Sequence, residues 1–139
     1  MITEDYVSEK TSELLKEKGF NEECWCLYHL VTHKFAREVN FDLRHNNELP
    51  NYIASAPTLQ MAIKWLREVY NKHCDISFDI ELGWYFQIID LKQIVKDFDY
   101  PEMKIYHGDN DCGFQNYEDT ADAAIKYCLE NLIIKKVEE

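Results

Sequence analysis

The sequence predicts an α+β fold over a single domain, residues 1–139, and three of its segments carry that reading. The stretch SAPTLQMAIKWLREVY, Ser55–Tyr70, repeats Leu59, Ala62, Ile63, Leu66, Val69 and Tyr70 at the spacing of one helix face, widened by Met61 and Trp65. A second such face, Ala121, Ala124, Ile125, Cys128, Leu129, Leu132 and Ile133, lies near the C-terminus. Between them Ile76, Phe78, Ile80 and Leu82 alternate with Ser77, Asp79 and Glu81, the period-two pattern of a strand with one buried face. Elements with one apolar face must bury it against one another. The expected architecture is therefore an antiparallel sheet of about three to five strands, with helices at about 4–18, 57–71 and 117–134 packed mainly on one face.

Taken in order, the first helix is expected from about Glu4, with Thr3 as its cap, to Lys18, because Val7, Thr11, Leu14 and Leu15 form a narrow apolar stripe. Gly19 ends it, since glycine enters the left-handed conformation at little cost and lets Phe20 fold back on Leu15 as in a Schellman stop. Residues 23–33, rich in aromatic and β-favouring side chains, read as a strand. A second strand around Val39–Leu43 and a loop at His45, Asn46, Asn47 and Pro50 precede the central helix. Pro57 suits the first turn of that helix, and Thr58 or Ser55 caps it. Gly83 turns the alternating strand into Trp84–Leu91, an antiparallel partner with apolar residues on both faces. The segment KQIVKDFDYPE fits a helical turn or a loop, Met103–His107 a short strand, and Gly108–Gly113 (GDNDCG) a loop. Asn116 caps the last helix with Asp119 in the reciprocal position. Glu118, Asp119 and Asp122 suit its positive end, and its two alanines permit close approach to a sheet.

Composition excludes several classes. With 46% hydrophobic and 14% aromatic residues the chain is far too apolar to be disordered, and its length supports a core without disulfides or metal. No apolar run approaches the roughly 20 residues that span a bilayer, and the acidic start MITEDYVSEK lacks the basic and apolar regions of a secretory signal. Cys24, Cys26, Cys74, Cys112 and Cys128 are odd in number and without scaffold spacing, which implies free thiols and a cytoplasmic location. A net charge of −11 repels phosphate backbones and anionic lipid unless the few cations cluster. The acidity is uneven: Asp97, Asp99, Glu102, Asp109, Asp111, Glu118, Asp119 and Asp122 are opposed only by Lys104. Such a segment is most often a solvated loop region, and its functional readings are a docking surface for a basic partner protein or a cation site.

Residues able to carry chemistry are few. Cys24, Cys26, His29 and His33 are zinc-type ligands, but on a strand the cysteines and histidines face opposite sides, so buried thiols beside surface histidines is the preferred reading. Cys74 adjoins His73, yet adjacency does not make a nucleophile and base. Asp79 and Glu81 share the polar face of a strand in the ordinary solvent-facing pattern. Asp109, Asn110 and Asp111 match a calcium loop only in part, because the bidentate acid at its end is absent. Trp84, Tyr85 and Phe86 would suit base stacking, but Asp79, Glu81 and Asp90 flank them where lysines and arginines are required. No phosphate-cradling loop, nucleophile elbow or dinucleotide fingerprint occurs, so neither cofactor nor metal is expected.

Three blocks, LLKEKGF (Leu14–Phe20), APTLQMAIKWLREVYN (Ala56–Asn71) and YEDTADAAIKYCLENLI (Tyr117–Ile133), resemble a set of small uncharacterised proteins common in gut bacteria and in their phages and other mobile elements. The resemblance implies a compact cytoplasmic accessory protein and supplies no catalytic residues. Together these readings favour a non-enzymatic interaction protein whose acidic surface meets a partner protein, one version being mimicry of nucleic-acid charge. The first alternative is a nucleic-acid-binding module with an αβββα-like half, which requires Lys64, Arg67, Lys72 and other cations to converge. The second is a small hydrolase or thiol enzyme, which requires a pocket joining cysteine and histidine or two carboxylates. Abundant aromatic residues also allow a homo-oligomer.

Overall fold

Ser8 starts the first helix: its side-chain oxygen accepts from the Thr11 N–H, and α1 runs Glu9–Glu17. It is the first element of the computed structural model, which describes residues 2–37, 45–91, 104–106 and 111–134. The helix begins after the expected start near Glu4 because the preceding backbone is already paired. Tyr6 bridges Thr58, the Val7 N–H donates to the Pro57 carbonyl at 3.1 Å, and the Leu59 N–H donates to the Asp5 carbonyl at 3.0 Å. Those groups cannot serve a helical ladder as well. The stop is as expected. Gly19 sits at φ +96°, its N–H donates to the Lys16 carbonyl at 3.2 Å, and the Phe20 N–H donates to the Leu15 carbonyl at 2.9 Å. Phe20 is wholly buried against Trp65, their rings meeting edge to face with centroids 5.3 Å apart.

A three-stranded antiparallel sheet follows, in the order β2-β1-β3, from β1 (Cys26–His29), β2 (Lys34–Arg37) and β3 (Ile53–Ser55). The strand expected over 23–33 is thus a shorter strand and a turn. The His33 N–H donates back to the His29 carbonyl at 2.8 Å, with His33 itself at φ +61°. β3 occupies a stretch expected to be loop: it pairs with β1, and a buried asparagine holds its Ser55 end. Asn46 Oδ1 accepts from the Ser55 N–H at 2.9 Å while its Nδ2 donates to the Phe20 carbonyl at 2.8 Å. Asn46 therefore satisfies backbone groups on both sides of the joint, which leaves Thr58 to cap the next helix. The strand expected around Val39–Leu43 lies outside the described residues.

The central helix, α2 (Leu59–Tyr70), has Thr58 Oγ1 accepting from the Met61 N–H at 3.1 Å, and Pro57 precedes that cap instead of entering the first turn. Ala62, Ile63, Trp65 and Leu66 are buried, whereas Met61 and Val69 are exposed, so the apolar face is narrower than the spacing predicts. A second sheet is built on the hairpin of β4 (Lys72–Asp79) and β5 (Gly83–Asp90), paired from Lys72 with Asp90 to Asp79 with Gly83. β6 (Lys104–Tyr106) and β7 (Cys112–Phe114) also pair antiparallel with β5. β6 matches the expected short strand, while β7 draws Cys112 and Gly113 out of the expected loop into the sheet. The segment KQIVKDFDYPE lies outside the described residues.

α3 (Tyr117–Asn131) is capped by Asn116, whose Oδ1 accepts from the Asp119 N–H at 2.8 Å. Ala121 and Ala124 are fully buried, so the helix comes close to β4 and β5. α2 also packs on β4, and α1 packs on α3 and β3. The core gathers Leu15, Phe20, Leu66, Phe86, Ile88, Ile125 and Leu129, each stabilising by about 1.5–3 kcal/mol through burial. The alternating strand buries Cys74 but leaves Phe78 59% exposed, with Ile80 and Leu82 in the turn 95% and 52% exposed. The hairpin end lies beyond the helical cover.

Candidate functional site

The starts of the three helices meet around one crevice, lined by Ser8 of α1's cap, Leu59 of α2 and Glu118 of α3. The pairing of residues 5–7 with 57–59 ties α1 to α2, and Asp122 ties α1 to α3. Asp122 Oδ1 accepts from the Ser8 backbone N–H at 2.7 Å, and Oδ2 accepts from the Ser8 hydroxyl at 2.8 Å. Between these elements lies an open crevice of about 370 Å³, into which Asp5, Glu118, Asp119 and Asp122 project beside Leu59. Through Asp5, Leu59 and Glu118 it continues into a hollow of about 210 Å³ bounded by Glu4, Gln60 and Tyr117. The positive ends of three helix dipoles explain why carboxylates are tolerated at this density.

The carboxylates differ in what they do. Asp122 is structural, and its charge is one of the groups that, with burial, push the Tyr28 hydroxyl above its ordinary pKa. Asp119 Oδ2 accepts from Asn116 Nδ2 at 3.3 Å, so it belongs partly to the cap. Glu4, Asp5 and Glu118 are exposed and, among the described residues, have no cation partner. Lys126 lines the crevice but reaches toward Glu130, at 3.9 Å.

Of the acidic segment identified in the sequence, the structure brings Glu118, Asp119 and Asp122 into this crevice. Asp111 sits beside β5, just before β7, where its carbonyl accepts from the Phe86 N–H at 2.9 Å. Asp97, Asp99, Glu102 and Asp109 lie outside the described residues. Glu4 and Asp5 were missed: more than a hundred positions separate them from Glu118, and only the pairing of the N-terminal segment with α2 unites them. The acidic N-terminus was the one signal that pointed to them.

The other candidates are dispersed or locked. Among the described residues no group of three or more His, Cys, Asp or Glu is placed to hold a metal ion. Cys24 and Cys26 are buried, and burial, with the neighbouring Cys26, pushes the Cys24 thiol up to about 12. His29 Nδ1 accepts from the Thr32 N–H at 3.2 Å, and His33 Nδ1 lies 2.6 Å from Glu9 Oε1. In the GDNDCG stretch, Asp109 and Asn110 are outside the described residues. Cys74 faces the core and His73 the opposite side of β4. A hydrogen bond with Cys128, together with burial, holds the Cys74 thiol well above its ordinary pKa, the reverse of an activated nucleophile. Asp79 and Glu81 do not share a strand face: Asp79 Oδ1 accepts from the N–H groups of Glu81 and Leu82, at 2.8 and 3.1 Å, and so caps the hairpin turn.

Among the described residues, Lys64 and Lys72 are each held by an acidic neighbour. Lys72 is nearly buried in an ion pair with Asp90 at 3.3 Å. Lys64 lies 4.0 Å from Glu68, in a depression it shares with Glu22 and Glu23. Phe86 is buried against Phe114 and Tyr127, so the aromatic triplet does not form a stacking platform. No described helix is long and apolar enough to cross a membrane. Comparison with protein families, with curated proteins and with solved structures gives no match, and the site rests on its own geometry.

Proposed function

We propose that the chain is a non-enzymatic interaction protein, of the accessory kind found on mobile elements, which binds a basic surface of a partner protein in the acidic crevice. The observation that carries this reading is the grouping of Glu4, Asp5 and Glu118, without cation partners among the described residues, around a hollow open to solvent. Unpaired carboxylates held by folded elements attract a cationic partner over about a Debye length, ~10 Å at 0.1 M salt, and fix its orientation on contact. The locked state of Lys72 and the acidic setting of Lys64 favour this reading over nucleic-acid binding.

The test is affinity capture from host lysate with the tagged protein, with and without nuclease, over rising salt. A second bait carries Asp5→Asn, Glu118→Gln and Asp119→Asn. The expected result is a protein partner that survives nuclease, leaves at high salt and is not retained by the substituted bait. Competition by added DNA would identify the partner's surface as a nucleic-acid-binding one. Salt-insensitive capture, or equal capture by both baits, would contradict the proposal.

A further inference from the structure

The acidic hollow opens onto apolar surface on one side. Tyr117 bounds it, and its hydroxyl accepts from Gln60 Nε2 at 3.2 Å. The Tyr117 ring meets Trp84 at a centroid distance of 5.9 Å, and Trp84 meets Phe78, its cross-strand partner, at 5.4 Å. Phe78, at the outer end of this row, is more than half exposed, as are Ile80 and Leu82 in the adjoining hairpin turn. Exposed large apolar side chains that stand singly are ordinary, whereas a contiguous row rimmed by charge marks a contact surface.

We infer that the row Phe78–Trp84–Tyr117 and the crevice form one docking surface for an amphipathic, basic segment of a partner protein, its apolar side chains on the aromatic row and its lysines or arginines on Asp5 and Glu118. This rests on the proposed function and names the chemistry of its partner. Charge complementarity selects the occupant. Asp79 and Glu81 stand at the hairpin turn beside the row, and residues 75–91 carry no lysine or arginine. The anionic face of a lipid bilayer is repelled by this rim. A second copy seated face to face would set Asp79, Glu81 and Glu118 against like charges. A segment that alternates basic and apolar residues satisfies both halves, as amphipathic helices do when they dock in grooves.

The test is selection of a random peptide library on the full-length protein, followed by binding measurements with one enriched peptide. Three substituted forms are compared: Phe78→Ser, Ile80→Ser, and the triple form Asp5→Asn, Glu118→Gln, Asp119→Asn. Both serine changes fall on exposed side chains, and thermal melts verify that each form folds. Enriched peptides should combine Lys or Arg with Leu, Ile, Phe or Trp, and should bind Phe78→Ser and the triple form at least about tenfold more weakly. Purely basic peptides that bind Phe78→Ser as tightly as the unsubstituted protein would overturn this inference and leave the acidic reading standing. Apolar peptides indifferent to the triple substitution would overturn both. The inference also fails if no peptide is enriched, or if the protein self-associates in a way that Ile80→Ser abolishes.

Discussion

Asp122 and Glu118 lie one helical turn apart on α3 yet face opposite demands. Asp122 gives both carboxylate oxygens to Ser8, the residue that caps α1, so its removal strands a part-buried N–H and loosens two helices at once. Asp122→Ala is expected to destabilise the protein by about 2 kcal/mol, as charged hydrogen bonds of this kind do, measured by urea denaturation. Glu118→Gln should cost less than about 1 kcal/mol, the size of a helix-dipole contribution at an exposed position. Equal losses for the two would show that the division into structural and available carboxylates is wrong. The sequence placed both residues at the start of a helix, but nothing in spacing or charge distinguishes them. Their difference arises from Ser8, more than a hundred positions away.

At the scale of elements, most of what rests on local chemistry was legible, the His29–His33 turn and the Ser8 cap excepted. The Gly19 stop, the Asn116 cap and the Gly83 turn all come from interactions within a few residues. Long-range pairing was not legible. The start of α1 was displaced because residues 5–7 pair with 57–59, and β3 exists because it pairs with β1, Asn46 holding its Ser55 end. Likewise the apolar alternation at Phe78, Ile80 and Leu82 gave the strand but not its exposure, which depends on where the helices stop.

His45 supplies another such link, fastening the loop after α1. Its Nδ1–H donates to the Asn21 carbonyl at 2.5 Å, and its Nε2 lies 3.3 Å from Glu23. The Asn21 carbonyl, then Glu23 and Glu48, raise its pKa above the ordinary 6.5. A raised folded-state value means that the charged imidazole stabilises the fold fully below pH 6.5 and loses that contribution as pH rises through the folded pKa. His45→Gln should therefore lower the melting temperature more in mildly acidic than in alkaline buffer. A melting-temperature difference independent of pH would contradict the assignment.

At the scale of the whole molecule, two features meet at one end. The starts of the three helices meet there around an acidic crevice, and the β4–β5 hairpin extends past the helices to add an aromatic row. The outer parts of both features are open to solvent, since Glu4, Asp5, Phe78 and Ile80 are all exposed. Their shared boundary at Tyr117 makes them one surface of mixed character, which suits recognition better than charge or apolar contact alone. The most direct measurement is a nuclear magnetic resonance titration of the isotopically labelled protein with the selected basic, amphipathic peptide. Shift changes should centre on Asp5, Tyr117 and Glu118 and include the Trp84 indole and Phe78. Changes centred instead on Met61, Lys64 and Glu68, which line the depression on α2, would contradict the account.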